Sequence, residues 1–292
     1  MSTTAAPSAV PPPPARARRL SPLARRILGF SAPMLLVLIA FFVVPVVMLL
    51  ARSVTEPAPG LQNYLTLFGT PTYARIFFNT FLVSGLVTAI TVLIAFPLAW
   101  GLTVFSRRTA GVIFALILLS MWTNLLARTY AWMVLLQRTG LINRTLMDLG
   151  LIDQPLTLVN NLVGVTIGMV YIMLPFMVMP LYGVLSKIDP GILRAAALCG
   201  ATRWQALTRI LWPLARPGVA SGALMVFVMS LGYFVTPALL GGTSNMMLAE
   251  LIAQQVQSLV NWGMGGALAF VLLVVTLALY ALQIRYAAQR EA

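Results

Sequence analysis

Residues 191–218 read "GILRAAALCGATRWQALTRILWPLARPG", and the organisation of the whole chain follows from them. The stretch carries Arg194, Arg203, Arg209 and Arg216, yet residues 154–186 before it and 217–249 after it hold no Asp, Glu, Lys or Arg. Uncharged apolar runs of about 18 residues or more cross a bilayer as helices. A basic, amphipathic stretch between two such runs is therefore a loop at a membrane surface. Asp189-Pro190 predicts a helix start, because Asp caps free N–H groups and proline suits the first turn. Ala195, Ala196 and Ala197 keep one surface of that helix flat, and Gly200 breaks or bends the chain. "TRWQALTRILWPL" then resumes a helix that passes Pro213 into the next span. A short helix, a glycine hinge and a second helix continuous with the membrane present a small-residue face that fits a groove on a soluble partner.

Working outward, the composition agrees. Of 292 residues, 60% are hydrophobic and 9% charged, which leaves too little polar surface for a soluble domain. Uncharged runs also cover 30–50, 76–106, 109–127 and 251–284. Six helices are predicted, near 30–51, 80–105, 111–135, 159–185, 214–239 and 264–285, giving an all-α membrane protein. The predicted layout is a basic, Pro-rich tail at 1–27, a membrane domain at 28–286 containing the loop 187–216, and a short tail at 287–292. The tail resembles the start of a signal peptide, but the apolar run after it is too long and no small-residue cleavage site follows.

The net charge of +13 does not indicate a nucleic-acid partner, because the charges are sorted. Arg16, Arg18, Arg19, Arg25 and Arg26 precede the first span, Arg107 and Arg108 lie between the second and third, and Arg285 and Arg290 follow the sixth. Lys187 and the four arginines of the quoted stretch fall on the same side. Only Arg52, Arg75, Arg138 and Arg144 fall on the other, with Arg128 near a helix boundary. Cytoplasmic loops carry the excess of Lys and Arg, so both termini and the quoted stretch are expected in the cytoplasm. Cys199 is the single cysteine and excludes an intrachain disulfide; the chain has no histidine. Pro45, Pro97, Pro175, Pro180 and Pro237 kink predicted spans. The pairs Gly164/Gly168 and Gly218/Gly222 let helices approach closely. A short surface helix is expected between Gly140 and Gly150.

The spacing Ala195-Ala196, Gly200, Ile210, Pro213 resembles the EAA loop of permease subunits of bacterial ABC importers, which reads Glu-Ala-Ala, three residues, Gly, nine residues, Ile-x-Leu-Pro. Arg194 stands where Glu is usual and Trp212 where Leu is usual. The segments "MWTNLLARTYAWMVLL" (121–136), "GMVYIMLPFMVMPLYGVLSKIDP" (168–190) and "GYFVTPALLGG" (232–242) resemble the spermidine/putrescine-type branch. The resemblance implies a type I ABC importer permease fold of six spans. It also implies a second, homologous permease chain, two cytoplasmic ATPase subunits that bind ATP and Mg, and a periplasmic solute-binding protein. The ATPase-coupling residues on this reading are Arg194, Ala195, Ala196, Gly200, Ala201, Ile210 and Pro213. No cofactor is expected in this chain.

Polar and aromatic residues in or near the spans are the solute-pathway candidates: Trp122, Asn124, Arg128, Tyr130, Trp132, Tyr171, Tyr233 and Thr236. Aromatic faces hold ammonium groups by cation–π attraction; Trp and Tyr equally mark the interfacial belt. Arg128 has two readings, a functional charge with a partner or a side chain reaching the outer interface. The predicted spans contain no carboxylate, which weighs against a polycation and leaves neutral, zwitterionic and mono-amine solutes open. The same lack disfavours an ion-coupled secondary transporter, the rival reading. No Gly-Lys-Ser/Thr phosphate loop is present, and without histidine or clustered acids no catalytic constellation forms, so a non-enzymatic transport subunit is expected.

Overall fold

The computed structural model describes residues 31–291, all helix and connecting turns; the predicted tail at 1–27 lies outside them. The first helix, α1 (Ser31–Thr55), is strongly apolar. Within it Ile39–Val43 form a π-turn, closed by the Val44 N–H on the Ile39 carbonyl. Pro45 lies just beyond and supplies no N–H of its own, a common setting for such a bulge. Of the described residues, those from 31 to Met48 form one unit and those from Leu49 another.

In the second unit, α2 (Gln62–Gly69) leads into α3 (Pro71–Val104), then α4 (Arg107–Trp122), α5 (Leu125–Leu136) and α6 (Leu141–Asp148). The expected single span at 111–135 is instead broken: the pair 107–122 and 125–148 is bent by 102°. Its apolar composition continues across Thr123-Asn124, so a hydropathy window sees one helix. The Asn124 side chain nevertheless caps α5 by accepting from the Leu126 and Ala127 N–H groups at 2.9 and 3.2 Å, which starts a new helix. The expected surface helix is α6, bounded by Gly140 and by Gly150 at φ +68°.

Helix α7 (Leu162–Leu185) is the axis of the bundle and is buried over most of its length. Such a helix is apolar all round. After it come α8 (Pro190–Leu198), α9 (Arg203–Leu231), α10 (Val235–Leu240), α11 (Leu248–Ala253) and α12 (Trp262–Glu291). Among the described residues five helices are long and apolar enough to cross a membrane, and the bent pair is a sixth candidate. The span expected at 214–239 starts earlier, at Arg203, and ends earlier, at Leu231, where Gly232 closes it. The last helix runs on to Glu291 rather than ending near 285.

Helices α3, α7 and α9 enclose the main core, with Val83, Val87, Ala95, Met169, Met173, Met177, Ala215 and Val226 among its buried residues. Both glycine pairs sit where helices touch. A Cβ on Gly168 would lie 2.7 Å from Leu240 Cδ1, and one on Gly218 3.0 Å from Val184 Cβ. A second cluster joins Leu67, Ile76, Leu248, Leu251, Met264 and Leu268. Thr80 ties it to α3: its fully buried hydroxyl accepts the Leu248 N–H at 2.8 Å and donates to the Ile76 carbonyl at 2.7 Å.

Candidate functional site

The 187–216 loop builds up as its residues dictate. The Asp189 carboxylate accepts the Gly191 N–H at 2.8 Å and Pro190 occupies the first turn of α8. Gly200 ends that helix at φ +82°, a left-handed conformation that glycine alone adopts without strain. Thr202 and Gln205 then start α9 with a reciprocal capping box, which satisfies two free donors at once. A π-turn at Ala206–Leu211 lets the helix pass Pro213, whose missing N–H would otherwise interrupt the ladder. From Arg203 to Leu231 the helix is continuous, so the loop is rigidly joined to the core helix.

Not all of the motif residues face the same way. Arg194, Ala195 and Gly200 are exposed, whereas Ala196, Ala201 and Ile210 are half-buried; Pro213 lies in the first turn after the π-turn. Two residues outside the motif are the most exposed apolar groups of the loop, Leu198 at 90% and Trp204 at 71%. The sequence carried a signal for both, a large apolar side chain in a loop that no other periodicity explains.

The pathway candidates divide. Arg128 reaches back across the break between α4 and α5, donating from Nη1 to the Ser120 carbonyl at 2.9 Å, while its Nε is buried without a partner. Tyr233, in the turn after α9, lies within reach of the Arg128 guanidinium and the Thr236 hydroxyl. Thr236 is fully buried and sits 3.3 Å from Thr129 Oγ1. The break between α4 and α5 and the one after α9, separated in the chain by the unbroken α7, therefore meet at Arg128, Thr129, Tyr233 and Thr236. Thr129 was not anticipated; its adjacency to Arg128 in "RT" was the available sign. Trp132 and Tyr171 form a separate T-shaped pair, 5.6 Å between ring centroids. Trp122, 88% exposed, and Tyr130 point away from the protein, the position of belt residues.

Glu250, in α11, is a further ionisable group outside the long helices. It is half-buried with Oε2 unpartnered. Burial pushes its carboxyl above the ordinary value, and the Met247 N–H pulls it part of the way back.

With the geometry in hand, comparison with known proteins decides the family. The family described as "Binding-protein-dependent transport system inner membrane component" matches residues 103–290. The chain belongs to that family. This inner-membrane component is 35% identical to the spermidine/putrescine transport system permease protein PotB of Haemophilus influenzae, over 73% of this chain and 74% of that protein. It is 34% identical to PotB of Escherichia coli over 74% and 78%, respectively. The inner membrane ABC transporter permease protein YdcU of Escherichia coli is 31% identical over 78% and 75%. Its fold is that of a chain in the bacterial alginate ABC transporter bound to an alginate-loaded periplasmic protein. That match has a TM-score of 0.72 and 19% identity and covers 87% of this chain and 91% of the other. The resemblance to permease subunits of binding-protein-dependent ABC importers, spermidine/putrescine-type branch, is thereby established.

Proposed function

We propose that this chain is the transmembrane subunit of an ATP-driven importer for a polyamine-type solute or a related amine or amino-acid-like compound. Six spans result when the bent pair counts as one, with both termini and the 187–216 loop in the cytoplasm. A second, homologous permease completes the channel, a periplasmic protein delivers the solute, and two cytoplasmic ATPase subunits bind ATP and Mg. The loop docks on an ATPase, and its movement rotates the helices of the core.

The observation that carries this reading is the mechanical continuity of the loop. The short helix α8 is hinged at Gly200 and followed by one unbroken helix from Arg203 to Leu231. That helix crosses α7 at Gly218 and Gly222 with no spare space, so a displacement of the loop is passed to the core rather than absorbed. It ends beside the Arg128–Tyr233–Thr236 cluster, at the far end of the same lever. The PotB relatives supply the solute class. A pathway without a carboxylate among these residues suits a permease that leaves recognition of the cation to the binding protein.

The test is to express the chain with its chromosomal neighbours, purify by a tag on this chain and assay ATPase activity. An ATPase and a second permease that co-purify, with turnover stimulated by a solute-loaded binding protein, support the assignment. A chain that purifies alone, without ATPase activity, returns the secondary transporter as the better account.

A further inference from the structure

The outward surface of the 187–216 loop is unusual in its chemistry. Its only acid, Asp189, is engaged in capping α8, while Arg194 and Arg203 are exposed. Among the described residues no carboxylate lies within ion-pair distance of either. Arg194 and Leu198 are four residues apart on α8 and so share one face. Gly191 and Ala195 flank them on that face and leave it low enough for another surface to approach. Trp204 stands exposed immediately beyond the hinge.

Two occupants suit a cationic, partly apolar face: an anionic bilayer surface and an acidic protein groove. A helix lying on a bilayer segregates its charges from its apolar stripe. Here the guanidinium of Arg194 and the side chain of Leu198 project side by side, while on the opposite face Leu193 packs on the core and Ala196 is half-buried. Adjacent charge and apolar anchor fit a protein recess with a charged rim. We infer that the ATPase surface receiving this loop carries a carboxylate opposite Arg194 and an apolar recess that takes Leu198. Arg203 and Trp204 extend the same contact past the hinge. This rests on the coupling role proposed above and adds the chemistry of the partner: the charge at this contact runs from an arginine on the permease to an acid on the ATPase.

The test uses the full chain with its second permease in nanodiscs, the ATPase encoded beside it, and three measurements: ATPase association, solute-stimulated ATP turnover and co-purified anionic lipid. Arg194→Glu is expected to weaken association on the order of tenfold or more through like-charge repulsion, and to lower turnover in step. Replacing the facing ATPase carboxylate by Lys is expected to restore both. Leu198→Asp, at a site exposed enough to leave folding intact, is expected to abolish association. If Leu198→Asp abolishes association and Arg194→Glu leaves it at the wild-type level, the loop docks but the charge assignment is wrong. If neither variant changes association, the docking reading itself falls. If Arg194→Glu sheds anionic phospholipid and leaves ATPase binding unchanged, the face belongs to lipid headgroups and the inference is overturned.

Discussion

Replacing Gly222 by alanine tests the crossing on which the proposed lever depends. A Cβ there would lie 2.6 Å from Met177 Sδ and 3.2 Å from Pro180 Cγ. Comfortable contact between such atoms is roughly 3.5–4.0 Å, so Met177 must move by about 1 Å or α9 must back away from α7. Met177 is fully buried, and Pro180 is held by its own ring, so relieving the contact means repacking the core around Met177. Overpacking of this kind destabilises by about 1–3 kcal/mol, while alanine in place of glycine favours a helix by about 1 kcal/mol. The net expectation is a loss of up to ~2 kcal/mol. Gly183→Ala is the matched control, because nothing lies within 4 Å of its Cβ; there only the helix-propensity gain remains. Thermal midpoints in one detergent should therefore rise or hold for Gly183→Ala and fall for Gly222→Ala. Gly222→Leu, which adds three more carbons at the same place, should fall further. A Gly222→Ala midpoint equal to or above that of Gly183→Ala would show that the helices do not cross closely there, and the rigid coupling of loop to core would lose its basis.

Three further outcomes follow from the same structure. Thr80→Val removes the acceptor of the Leu248 N–H and leaves that donor buried, so stability should fall by about 1–3 kcal/mol, read as a lower thermal midpoint, whereas Thr80→Ser keeps the bond and should lose less. Gly200→Glu should abolish transport while the protein still inserts, since charge and bulk enter the proposed docking face and a glutamate is strained at φ +82°; Gly200→Asn, the least strained side chain in that conformation, should retain most uptake. Glu250→Gln should raise the thermal midpoint at neutral pH and lose its advantage in acid. The folded-state pKa of Glu250 is raised, so its stability contribution is complete below the unfolded value of about 4.5 and is lost as pH rises through the folded value. A midpoint difference independent of pH would remove burial of the charged form as the cause.

How much of this was legible in the sequence depends on the range over which each signal acts. Local chemistry read well. The Asp189-Pro190 cap, the Gly200 hinge, the continuation through Pro213 and the helix between Gly140 and Gly150 are settled by residues within a turn of one another. The glycine pairs at 164/168 and 218/222 read as close approaches because nothing else explains small residues at that spacing in an apolar helix. What did not read was the position of breaks inside apolar runs. Thr123-Asn124 and Gly232-Tyr233 are hydrophobically unremarkable, and a hydropathy window averages across them. An N-cap asparagine is a start signal only to an eye that already expects a helix to begin there. Those two breaks assemble the polar cluster, so the contacts of Thr129 with Thr236 and of Arg128 with Ser120 are consequences of bends invisible to periodicity. The direction of the loop residues was hidden for a related reason. Ala195 and Ala196 are adjacent and chemically identical, and only the packing of α8 against the start of α9 turns the first outward and the second inward. The surface left for a partner is then set by Arg194 and Leu198 rather than by the alanines. If the loop couples to an ATPase as proposed, the substitution of Arg for Glu in the motif falls at the exposed position that would decide which ATPase fits.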